Sequence, residues 1–136
     1  MKTKVDFLKT MFYQDEETGQ ITCEGVVQLM LNDLPFEGAY EIYKKKFPYI
    51  SKKGVFKVCA TASCSKADYY EACVGMKIAE TKMQAKAYYT AWRVYVMIVN
   101  EMKKLHNIMA DYVNGCSEAY EHAISHIDEI DYTFNN

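Results

Sequence analysis

The spacing of apolar positions changes along the chain, and each change predicts a different element. Residues 4–13 carry Val5, Phe7, Leu8, Met11 and Phe12, which suits a short helix and an edge strand equally. Asp15-Glu16-Glu17-Thr18-Gly19 reads as a turn. Beyond it, Thr22 caps an expected helix over 23–31, with Val26, Val27, Met30 and Leu31 on its apolar face and Asn32-Asp33 as its stop. Strand alternation through Ile21, Cys23, Val27, Leu29 and Leu31 competes with that helix, and Gly25 weakens both readings. Asp33 then caps a helix over 35–47, with Pro35 in the first turn, where its missing N–H costs nothing. Its apolar positions are Phe36, Ala39, Tyr40, Tyr43 and Phe47, and Pro48 ends it. A short helical hairpin is the expected result.

After Gly54 the period drops to 2. Phe56, Val58, Ala60 and Ala62 fall on one face of a strand over 55–62, and Val55, Lys57, Cys59 and Thr61 on the other. A lone strand leaves its backbone unsatisfied, so it pairs with the N-terminal segment or with a second copy. From Asp68 the pattern is helical for about 45 residues, longer than the usual three to four turns. Tyr88, Ala91, Tyr95, Ile98, Met102, Leu105, Met109 and Tyr112 follow a 3-4 spacing, the mark of a coiled-coil seam or bundle face. Trp92, Val94, Val96, Met97 and Val99 make the middle of this helix apolar on nearly every side, which implies burial all round and cover from a partner copy. Asn114-Gly115 is expected to close it, and Ser117 to open a C-terminal helix with Tyr120, Ala123, Ile124, Ile127 and Ile130 as its stripe. The expected class is α+β, mostly α: a short helical hairpin, one or two short strands, one very long helix and a C-terminal helix.

A chain of 136 residues suits a single domain (1–136), with an N-terminal helical part (1–50), a strand and connection (51–67), and the long and C-terminal helices (68–136). Half the residues are hydrophobic and only 2 are Pro, which excludes a disordered or low-complexity chain. No apolar run approaches the roughly 18 residues that cross a bilayer, and the N-terminus lacks a secretory apolar stretch. A cytoplasmic protein that does not engage membranes is expected. Five cysteines at irregular spacing point to reduced thiols.

The net charge of -2 argues against a surface built wholly for nucleic acid, but charge is uneven. Residues 42–67 hold seven lysines and no acid, whereas 117–136 hold five acids and no lysine or arginine. The lysines interleave with Tyr43, Phe47, Tyr49 and Phe56. Ammonium groups neutralise phosphate and rings stack bases, so this is the composition of a nucleotide or single-stranded nucleic-acid site. The plainer alternative is a solvated helix end whose lysines complement the dipole. Arg93 is the single arginine and lies within the apolar helix, where an unpaired guanidinium is expensive. Either it meets an anionic ligand, with Lys52, Lys53 and Lys57 closing from the side, or it pairs with an acid such as Glu101 or Glu129 across an interface between copies.

His122 and His126 stand four apart, with Cys116 before them, but no fourth metal ligand follows at a telling spacing. Cys59, Cys64 and Cys73 form no CxxC pair. The sequence carries no GxSxG, Walker lysine loop or HExxH, so no cofactor, metal or catalytic residue is assigned.

Residues 56–83 carry a pattern that can be compared with something known: Cys64 after the strand, then Asp68, Tyr70-Glu71, Gly75, Ala79 and Lys82. This resembles a segment of small proteins from bacteriophages and gut mobile elements, in which arginine stands at the position of Lys82. Small phage proteins of this look include inhibitors of bacterial immunity, both anti-CRISPR proteins and nucleotide-sequestering sponges of the Thoeris anti-defence type. The latter are oligomers with long paired helices and small strands. The resemblance implies a non-enzymatic, oligomeric binding protein that inhibits a host immune process by occupying a protein or sequestering a nucleotide signal. A homo-oligomer, dimer or higher, would use Tyr88, Tyr95, Ile98, Met102, Leu105 and Met109 as its interface. The alternative function is a nucleic-acid-binding regulator that uses the helical hairpin or the Lys/aromatic segment 42–67.

Overall fold

The computed structural model describes residues 2–34, 37–63 and 69–135, and its first two elements are strands. Val5–Asp15 (β1) and Gln20–Leu29 (β2) form an antiparallel hairpin. The expected turn closes it: Gly19 takes φ 71°, its N–H donates to the Asp15 carbonyl at 2.9 Å, and Asp15 Oδ1 accepts from the Glu17 N–H at 2.9 Å. The segment left open between helix and edge strand is therefore the edge strand β1. Val55–Ser63 (β3) pairs antiparallel with the other side of β2, giving the order β1-β2-β3.

The helix expected over 23–31 is not formed. Ile21, Cys23, Gly25, Val27 and Leu29 are buried while the residues between them are half-exposed, a period of 2 that only a strand presents to one core. With strands available on both sides, β2 satisfies all its backbone groups in the ladder, and the competing alternation prevails over the Thr22 cap. The second half of the expected hairpin shrinks to Ala39–Tyr43 (α1), which follows Gly38 at φ 98°. Pro35 and Phe36 lie outside the described residues. Tyr43 and Phe47 are still buried, and the Tyr43 hydroxyl donates to the Ser51 carbonyl at 2.6 Å.

The expected break at Asn114-Gly115 is also absent, so there is no separate C-terminal helix: a single helix, α2, runs Tyr69–Asn135. Gly115 is not in the left-handed region that a C-cap needs. One glycine in a helix costs about 1 kcal/mol, less than terminating two helices and leaving their end groups to water.

The chain divides into two compact units, Met1–Ile98 and Val99–Asn136. In the first, α2 lies on the sheet face formed by the odd residues of β2 and by Phe56, Ala60 and Ala62 of β3, the face expected for that strand. Its buried positions are Ala79, Met83, Ala87, Ala91, Val94 and Ile98. The three alanines leave room for a close approach, and Gly25 completes it: a Cβ there would lie 2.5 Å from Met83 Sδ. The middle of α2 is not buried on every side as expected, since Trp92 is 61% exposed and Val96 and Val99 are also exposed. The sheet covers one face of the helix only.

The second unit is helix throughout its described length, with every described side chain exposed except the half-buried Glu101 and Ala110. Among the described residues, no helix is long and apolar enough to cross a membrane.

Candidate ligand-binding groove

The site grows from one flank of α2 beside an unpaired strand edge. Lys82, Lys86, Tyr89 and Arg93 recur at spacings of 4, 3 and 4 and so share a flank of the helix. β3 is the outer strand on that side, and alternate carbonyls on its free edge point away from β2. Lys86 Nζ donates to the Cys59 carbonyl at 2.9 Å and Lys82 Nζ to the Thr61 carbonyl at 3.3 Å. The two lysines therefore cap the edge with charge, which discourages another strand from pairing there. Each ammonium has three donors, so capping leaves the rest for a ligand.

Between this flank and β3 lies an open groove of about 530 Å³, lined by Tyr49, Phe56, Lys57, Cys59, Lys86 and Tyr89. That volume falls in the usual range for small-molecule sites. Tyr49 and Tyr89 are both more than half exposed, so their ring faces are available. Arg93 is not part of the lining and adjoins the groove through Tyr89. Its guanidinium carbon lies 4.9 Å from the Phe47 ring centre and 5.7 Å from that of Tyr89. Phe47 in turn meets Tyr49 edge-to-face at 6.1 Å. The rings hold the guanidinium in place without neutralising it.

Of the four residues expected to bind an anion, Lys57 lines this groove, and Arg93 contacts the Tyr89 ring that lines it. Lys52 and Lys53 do not. Lys52 lines a different cleft of about 740 Å³ that also carries Glu37 and Glu41, where the acids offset its charge. Lys53 lies in the turn before β3, where its carbonyl accepts from Gln28 Nε2 at 3.1 Å. The pairing of Arg93 with Glu101 or Glu129 is not made within the chain: Glu101 lies 3.8 Å from Lys104, and Glu129 lies 3.9 Å from His126. Lys86 and Tyr89 were not singled out from the sequence, although the 4-3-4 spacing back from Arg93 marks them.

The expected interface residues divide between the two units. Ile98 is 2% exposed and belongs to the core of its own unit; Tyr95 donates to the Lys4 carbonyl at 2.9 Å; Tyr88 meets Phe7 edge-to-face at 5.5 Å. Met102, Leu105 and Met109 are exposed in the second unit.

Burial pushes the Cys23 thiol above its ordinary range, with the Glu80 carboxylate adding to the effect, which keeps it protonated and unreactive at neutral pH. Among the described residues, no group of three or more His, Cys, Asp and Glu gathers as metal ligands. Cys64 and Asp68 of the phage-like segment lie outside the described residues; Ala79 is buried under the sheet and Lys82 caps β3. Gly75 is buried on the same helix. No protein-family model, curated protein or solved structure matches the chain.

Proposed function

We propose that the protein is a non-enzymatic binding protein, working as an assembly, whose groove takes up a nucleotide-like anion. The observation that carries this reading is Arg93 held over two aromatic rings at the border of a groove lined by Lys57, Lys86, Tyr49 and Tyr89. Exposed tyrosine faces suit a base, and the cations suit its phosphates. A guanidinium already ordered by packing gives up little entropy when it meets a phosphate. Sequestration of a host nucleotide signal, the use implied by the likeness to small phage proteins, would need affinity and no chemistry.

The nucleic-acid alternative has lost its helical hairpin, because residues 23–29 lie in strand β2, and now rests on the Lys/aromatic segment 42–67 alone. Titration calorimetry with linear and cyclic adenine and guanine nucleotides, and separately with a short single-stranded oligonucleotide, tests both readings. Saturable binding of a mononucleotide or dinucleotide, weakened at least tenfold by Arg93→Ala, supports the proposal. Heat from the oligonucleotide alone, falling steeply with salt, would support the alternative. No heat from any of them overturns both.

A further inference from the structure

The second unit has a single helix and no core, yet it exposes Leu105 (53%), Met109 (58%), Tyr120 (68%) and Ile127 (58%). These fall into one stripe, and the stripe is symmetric. Going back from Cys116, Tyr112, Met109, Leu105 and Met102 stand 4, 7, 11 and 14 residues away. Going forward, Tyr120, Ala123, Ile127 and Ile130 stand at the same 4, 7, 11 and 14. At 100° per residue all nine positions lie within about 80° of one another, a continuous seam along the helix.

We infer that this seam pairs with the same seam of a second copy, antiparallel, with the two-fold axis beside Cys116. A two-fold pair needs a surface complementary to itself, so that each residue's partner also meets it in return. The palindromic spacing provides this: Met102 meets Ile130, Leu105 meets Ile127, Met109 meets Ala123 and Tyr112 meets Tyr120. The overlap of 29 residues, from Met102 to Ile130, is about 42 Å long at the ordinary helical rise.

Antiparallel pairing opposes the helix dipoles, whereas parallel pairing aligns them and sets every charged residue level with its own copy. At the axis Cys116 is small, and Tyr112 and Tyr120 lie one turn to either side of it.

This pairing deepens the assembled state proposed above but rests on helix residues alone, so it is tested without any groove ligand. Sedimentation of the full chain at micromolar concentration is expected to give a dimer or a multiple of it, and Leu105→Asp to weaken it about 100-fold or more, since two carboxylates enter the seam. For direction, Cys116→Ser/Leu105→Cys chains are mixed with Cys116→Ser/Ile127→Cys chains and oxidised with copper phenanthroline. Two thiols lose two protons and two electrons to the oxidant and form a disulfide. A 105–127 link found by peptide mass spectrometry supports the inference. A 105–105 link, or a monomer in sedimentation, overturns it. Nucleotide binding that persists in the Leu105→Asp monomer would leave the groove reading intact, and a dimer that binds no nucleotide would leave the pairing intact.

Discussion

Arg93 has two separable tasks. Its contacts with Phe47 and Tyr89 contribute about 0.5–1 kcal/mol of stability at a half-exposed site. Its contact with a bound phosphate would contribute about 2 kcal/mol of affinity. Arg93→Ala is therefore expected to lower the melting temperature only slightly while weakening nucleotide binding more than tenfold, and Lys52→Ala, placed beside Glu37 and Glu41, to leave binding unchanged. Equal losses in the two variants would show that the groove is not the site. The conspicuous arginine was legible in the sequence because nothing else in the apolar stretch 87–100 carries charge. Its ring partners were not, because Phe47 reaches it only through the fold. Burial also raises the Cys23 thiol, and burial followed by the nearby Tyr40 raises the Tyr43 phenol. Both groups thus favour the protonated form when folded. The stability they contribute is complete below their ordinary values, about 8.5 and 10, and is lost as pH rises through the raised ones. Urea midpoints are expected to fall above about pH 9, with a shallower fall in Cys23→Ala; midpoints that rise with pH would contradict this.

At the scale of elements, the sequence was clearest where one period acted alone. The strand over 55–62 was readable from its own alternation, and of its two faces the one with Phe56, Ala60 and Ala62 packs into the core. The element over 23–31 was not, because Val26, Val27, Met30 and Leu31 fit a helix while Ile21, Cys23, Val27 and Leu29 fit a strand, and only the neighbouring strands decide between them. Gly115 misled for a related reason, since a glycine marks a helix end only where the chain turns left-handed. Two other glycines allow a sharper test. Gly54 takes φ 85°, and a Cβ there would lie 2.7 Å from the Leu29 carbonyl oxygen, which is held in backbone. At Gly25 the clash is with the flexible end of Met83. Gly54→Ala is expected to cost on the order of 3 kcal/mol and Gly25→Ala about 1 kcal/mol by chemical denaturation. The reverse order would mean that the approach of α2 to β2 is the tighter constraint.

For the whole molecule, the long run of apolar positions in α2 was legible, but which of them the chain's own sheet covers was not. The seam read from Tyr88 to Tyr112 crosses from a helix that the chain's own sheet covers to one that nothing in the chain covers, and only the burial of Ile98 beside the exposure of Leu105 separates the two. Ile98→Asp is thus expected to unfold the first unit, because it sets a carboxylate in its core, whereas Leu105→Asp is expected to keep the melting transition and lose only the assembly. Circular dichroism melts run beside sedimentation on both variants separate these outcomes, and a folded monomer from Ile98→Asp would contradict them. The central claim, an assembled protein that holds a nucleotide in the groove beside Arg93, is tested most directly by native mass spectrometry of the protein purified from host lysate. The expected spectrum shows a dimer or higher assembly carrying a nucleotide-sized adduct on each copy, and the adduct is lost in Arg93→Ala. An adduct-free spectrum from the unaltered protein, unchanged after nucleotides are added, would contradict it.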